Sequence, residues 1–113
     1  MKRKQQSLNP VQKRALASLR RKLLDLGWVE AIYLYGSVAR GEADQESDID
    51  LLVLTSRKLS RPERHQITDL VYEVNLLEDT NFSTLVIDRP SWEDGIFSVL
   101  PIRERIAKEG FPI

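Results

Sequence analysis

The stretch Ile49-Asp50-Leu51-Leu52-Val53-Leu54 constrains the fold more than any other part of this 113-residue chain. An aliphatic run this continuous matches a strand in the middle of a sheet, covered on both faces, rather than the alternating pattern of a strand with one wet face. Asp50 interrupts the run, and a carboxylate among buried aliphatics is costly unless its charge is compensated. Because side chains alternate faces along a strand, Asp48 and Asp50 point to the same side, roughly 6–7 Å apart along the backbone, so both can converge on one cation. The chain must therefore build a central strand whose entrance carries a pair of acids.

The flanking segments supply the rest of such a sheet. Asn9-Pro10 is a helix start, and Val11, Ala15, Leu16, Leu19, Leu23 and Leu26 follow at helical spacing up to Gly27. Val29 to Tyr35 is β-branched, aromatic or aliphatic and stops at Gly36-Ser37, a strand feeding a tight turn. Residues 38–47 are polar, include Gly41 and read as a loop. Ser60 and Glu63, with Pro62 between them, have the spacing of a capping box, and Ile67, Leu70, Val71, Val74 and Leu77 form one apolar stripe behind it. Phe82 to Ile87 is a third strand. Ser91 with Asp94 can cap a further helical stretch, interrupted at Pro101 and resumed by Ile102, Ile106 and Ala107 up to Gly110. The expected order is α-β-β-α-β-α, a small mixed sheet flanked by helices. The short first connection makes strands one and two antiparallel neighbours, and a right-handed crossover sets strand three parallel to strand two.

Chemistry concentrates between Gly36 and Asp50. A glycine turn lets backbone N–H groups approach phosphate oxygens closely, and the Ser37 hydroxyl adds a donor. Arg40 can neutralise phosphate charge or pin the loop to the sheet. A magnesium ion shared by Asp48, Asp50 and the phosphates of an NTP would compensate the buried charge, since Mg2+ favours few protein carboxylates plus phosphate and water oxygens.

This stretch resembles the nucleotidyltransferase superfamily built on the polymerase-β catalytic fold, whose signature is Gly-Ser, a ten-residue spacer and Asp-x-Asp. Gly36-Ser37, the spacer Val38 to Ser47 and Asp48-Ile49-Asp50 match it at every defined position. The fuller form, Gly-Ser-x-Ala-Arg-Gly followed by Ser-Asp-x-Asp-Leu, is similar to the minimal nucleotidyltransferase (MNT) branch, often the antitoxin partner of a helical HEPN-type ribonuclease toxin. The resemblance implies an α/β (α+β) polymerase-β-like fold over residues 1–113; the basic start itself marks residues 1–8 as an expected flexible tail. The resemblance also implies Gly36, Ser37, Arg40 and Ser47 at the nucleotide and Asp48 and Asp50 as catalytic metal ligands. The reaction it implies moves a nucleotidyl group, AMP from ATP, to a hydroxyl, with a HEPN-like partner or a homodimer supplying what so short a chain lacks. One part of the pattern is missing: the third carboxylate belongs at the start of the next strand, where Phe82-Ser83-Thr84 offers none. Asp88, at the opposite end of that strand, or Asp79, in the loop just before it, could be recruited in its place. A catalytically weak or inactive nucleotide-binding antitoxin module is therefore the alternative.

Composition narrows the remaining classes. The chain has no cysteine, so disulfide frameworks and thiolate zinc sites are excluded and a cytoplasmic location is the default. No run approaches the ~20 apolar residues of a membrane span, and no apolar stretch follows the basic start as in a secretory signal. Lysine plus arginine equals aspartate plus glutamate at 17 each, leaving no overall footprint for duplex nucleic acid. Only Lys2-Arg3-Lys4 concentrates positive charge, so nucleic acid is not the favoured partner. His65 reads as solvated, Trp28, Tyr33, Tyr35 and Trp92 as packing residues, and Arg103, Glu104, Arg105, Lys108 and Glu109 as a solvated helix face.

Overall fold

In the computed structural model residues 8–41 and 48–113 are described. Ser47 and the Lys2-Arg3-Lys4 tail lie outside the described residues, as do the side chains of Ser37 and Arg40. The elements are α1 (Pro10–Leu24), β1 (Val29–Tyr35), α2 (Gly36–Arg40), β2 (Ile49–Thr55), α3 (Arg61–Glu78), β3 (Phe82–Asp88), α4 (Arg89–Glu93), a 3-10 turn (Ile96–Val99), α5 (Pro101–Glu109) and β4 (Phe111–Pro112). The sheet order is β3-β2-β1-β4. β1 runs antiparallel to β2, and β3 parallel to it, as their connections dictate. β4 is an addition to the expected order, a two-residue edge strand antiparallel to β1 that ends in proline, a residue an edge tolerates.

Both faces of β2 are covered, as its aliphatic run requires. On one face Ile32, Leu34, Ile49, Leu51, Val53 and Phe82 pack with Ala15, Leu16, Leu19 and Leu23 of α1 and Ile67, Val71 and Val74 of α3. On the other, Leu52, Leu54 and Ile87 meet Trp92 of α4 and Ile106 of α5. Each aliphatic side chain so buried contributes about 1.5–3 kcal/mol, which makes β2 the anchor of the molecule. Val11 is 43% exposed and Leu77 71% exposed. At 100° per residue Val11 stands about 80° around α1 from Leu19, and Leu77 about 120° around α3 from Val71, outside the sheet-facing arcs. No helix among the described residues is long and apolar enough to cross a membrane.

The helix starts follow the expected capping chemistry, with two corrections. Asn9 Oδ1 accepts from the Gln12 N–H at 2.8 Å and Gln12 Oε1 from the Asn9 N–H at 2.9 Å, closing a reciprocal cap on α1. Ser60 and Glu63 do the same on α3. Arg57 adds a two-pronged ion pair to Glu63 at 2.9 and 2.6 Å, and this pair with the Ser60 N–H lowers the Glu63 pKa to about 2. On α4 the cap is Asp88 rather than Ser91: its carboxylate accepts the Ser91 N–H and Oγ–H, each at 3.0 Å. The strand runs straight into the helix, so the last strand residue reaches the free N–H groups first. Pro101 opens α5 instead of interrupting a helix, since proline is favoured in a first turn.

Candidate functional site

The site is set by where β1 stops. Tyr35, its last residue, is the cross-strand partner of Asp50, and Ser83 of β3 flanks Asp50 on the other side. Residues paired across a sheet share a face, so Tyr35, Asp50 and Ser83 form a row at one end of the face that carries Leu52 and Leu54. At Gly36 the chain turns through φ +82° and enters α2, where residues 38–40 had been expected as loop. Val38 and Ala39 are buried in the main core, and this burial fixes the short helix. Gly41, at φ +77°, closes the turn with its N–H on the Val38 carbonyl at 3.1 Å.

Gly36 is required for two separate reasons. Its positive φ strains any L side chain. In addition, a Cβ built there would lie 2.3 Å from Asp50 Oδ2 and 3.2 Å from its Cγ. The Gly-Ser turn and the second aspartate, fourteen positions apart in sequence, are thus in direct contact, with a carboxylate oxygen seated against bare backbone. Asp50 is half-buried and Asp48 exposed one residue ahead of the strand. Burial raises the Tyr35 pKa, and the negative charge of Asp50 raises it further.

The start of β3 is held by a residue that sequence reasoning passed over. Asn75 Nδ2 donates to the Phe82 carbonyl at 3.1 Å, while its Oδ1 accepts from the Phe82 N–H at 2.8 Å and from Thr80 Oγ1 at 2.9 Å. These bonds fix the register that sets Ser83 beside Asp50. The available signal was an asparagine inside an apolar helical stretch, where its intrinsic preference is poor and a tertiary partner is needed. Asp79 takes a left-handed conformation as the C-cap of α3 and is exposed. Asp88 pairs with Thr55 at the far end of the strands, five residues and about 16–17 Å from the Ser83 level, so it is not a third ligand. Among the described residues no three carboxylate or imidazole groups converge. His65 is exposed, and Trp28, Tyr33, Tyr35 and Trp92 pack into the two cores. Arg103 departs from the expected solvated face: it is half-buried, with its guanidinium 5.4 Å from the centroid of the Trp92 ring.

Residues 13–105 match the model of the nucleotidyltransferase domain. The chain belongs to that family. This nucleotidyltransferase domain is 31% identical over 58 residues to a protein of Methanocaldococcus jannaschii provisionally assigned as a protein adenylyltransferase, an alignment covering 51% of the chain and 59% of that relative. The chain thus spans about three-fifths of the curated relative it matches. Among solved structures, a provisionally assigned minimal nucleotidyltransferase superposes with TM-score 0.58 at 23% identity, covering 95% of this chain and 99% of that one. A complex of a tri-AMPylated HEPN toxin with an MNT antitoxin from Shewanella oneidensis superposes with TM-score 0.51 at 17% identity, covering 90% of this chain and 70% of its counterpart. Likeness at this identity establishes that this nucleotidyltransferase domain shares the fold of the minimal branch.

Proposed function

We propose that this domain is a Mg2+-dependent nucleotidyltransferase that transfers AMP from ATP to a hydroxyl of a HEPN-type partner protein. The observation that carries the reading is the contact between Gly36 and Asp50, which brings a metal-binding carboxylate and a phosphate-accepting turn to one point. The donor set suits a small hard cation: two carboxylates from alternate positions, at the rim of an apolar face, leave its other positions to phosphate and water. Asp48 and Asp50 would hold the ion, which when bound neutralises triphosphate charge and lowers the pKa of an attacking hydroxyl. Gly36 and Ser37 offer backbone N–H groups to the phosphates, and Arg40 and Ser47 belong to the same proposed nucleotide site. The acceptor hydroxyl gives its proton to solvent as its oxygen forms a bond to the α-phosphorus, the bond from that phosphorus to the bridging oxygen breaks, and pyrophosphate leaves with the electron pair. The adenylyl group and the HEPN acceptor are favoured by the adenylyltransferase relative and the AMPylated toxin complex.

One observation favours a second reading. Ser83 stands beside Asp50 where a third acid would collect the proton of the acceptor hydroxyl, which suits a nucleotide-binding module that neutralises its partner by covering it. Incubation with α-labelled ATP, Mg2+ and the product of the adjacent reading frame separates the two. Label on the partner that disappears in Asp50→Asn supports the transferase. Tight complex formation without label, in the presence of Mg2+, supports the module.

A further inference from the structure

The row Tyr35–Asp50–Ser83 does not end at the metal-binding carboxylate. One same-face step along the strands, about 6–7 Å away, lies the cross-strand pair Tyr33 and Leu52. This pair floors a cavity of about 230 Å³ completed by Trp92, Arg103, Ile106 and Ala107. The walls are aromatic and aliphatic, and the cavity has one convergent charged donor. Arg103 lies over Trp92, and its Nε is buried without a hydrogen-bond partner among the described residues. A buried, charged N–H lacking an acceptor is a standing cost. Stacking on the indole keeps the guanidinium from swinging out to water. Flat apolar walls with a single oriented donor are what a small heteroaromatic ligand needs.

We infer that this cavity receives the base of the nucleotide, with Arg103 as its specificity-determining residue, donating to a ring nitrogen or carbonyl oxygen on the base edge. The inference rests on the nucleotidyltransferase reading and extends it: phosphates lie at the Gly36–Asp50 end of the row and the base lies one strand step inward, with the ribose between. The acceptor on the base takes a hydrogen bond from the Arg103 guanidinium where that side chain lines the cavity, and the ring replaces water against the half-buried Tyr33. A nucleotide is then selected by the acceptor it presents, a discrimination the phosphate end of the site cannot provide.

The test is calorimetric binding of ATP and of inorganic tripolyphosphate, both with Mg2+, to the full chain and to Arg103→Met, Arg103→Lys, Ala107→Trp and Asp50→Asn, each checked for folding by circular dichroism. Arg103→Met and Arg103→Lys are expected to weaken ATP about tenfold or more, the loss typical of a hydrogen bond to a charged donor, while leaving tripolyphosphate unchanged. Ala107→Trp, at an exposed position on the cavity wall, is expected to block ATP alone. Asp50→Asn is expected to weaken both. If ATP binds the unaltered chain no better than tripolyphosphate, or if the Arg103 and Ala107 variants bind ATP normally, the base site is wrong and the metal–triphosphate reading stands. If neither compound binds, or Asp50→Asn changes nothing, the reading falls and the base site with it.

Discussion

Replacing Gly36 by alanine probes the contact on which the site is built. At φ +82° an alanine carries a left-handed penalty of about 1–2 kcal/mol. Its Cβ would also lie 2.3 Å from Asp50 Oδ2 and 3.3 Å from the Asp50 Cβ, so the carboxylate must leave its rotamer, at about 0.5–1.5 kcal/mol. A total loss of about 2–3 kcal/mol is expected in urea unfolding, seen as a fall in midpoint at constant slope. The two contributions separate in a double-mutant cycle. In an Asp50→Ala background the 2.3 Å clash with the carboxylate is gone, leaving the φ penalty and the 3.3 Å approach to the Cβ, so Gly36→Ala should cost about 1 kcal/mol less there. Strictly additive variants, or a Gly36→Ala protein as stable as the parent, would refute the contact.

Four further outcomes follow from the same geometry. Asp50→Asn should lower the Tyr35 pKa by removing a charge that raises it, read from phenolate absorbance. Because the folded-state value is raised, the stability Tyr35 contributes is present below its unfolded pKa near ~10 and is lost as pH rises through the folded value. Asn75→Ala should destabilise by about 1–3 kcal/mol in urea unfolding, since it strands the Phe82 N–H and carbonyl at the start of β3. Glu63 titrates at about 2 when folded, against an ordinary glutamate value of 4.5, so its contribution to stability holds above about 4.5 and disappears as pH falls toward 2. Arg57→Met should move the Glu63 carboxyl titration, followed by NMR, back toward the ordinary carboxylate range. Ser83→Asp sets an acid beside Asp50 and should raise divalent-metal affinity and label transfer to the partner; unchanged values would mean that Ser83 does not face the metal.

The parts legible in the sequence were those where one residue type answers one local demand. The aliphatic run of β2 required burial on both faces, Asn9 and Ser60 announced helix starts, and the short β1–β2 connection fixed an antiparallel pair. The contact between Gly36 and Asp50 was half legible. Spacing tied the two together, but only the register of Tyr35 opposite Asp50 reveals that a Cβ would strike the carboxylate. α2 was hidden because the polarity of its surroundings outweighs the two buried residues, Val38 and Ala39, that hold it. Asp88 and Ser91 were misjudged for a related reason: both are good caps, and which one acts depends on where β3 ends, a tertiary matter. Arg103 looked like one more charge on an alternating face, because helical periodicity does not record that Trp92 stands beneath it.

The most direct measurement is paramagnetic: Mn2+ with ATP, added to the isotopically labelled chain and observed through amide resonances. If Asp48 and Asp50 grip the cation opposite the glycine turn, broadening at substoichiometric Mn2+ should be strongest at residues 36–37 and 48–50 and at the start of β3 and fall off with distance from them. It should also vanish in Asp50→Asn. Broadening spread over exposed acids such as Asp69 and Glu73 on α3, or unaffected by Asp50→Asn, would contradict that claim.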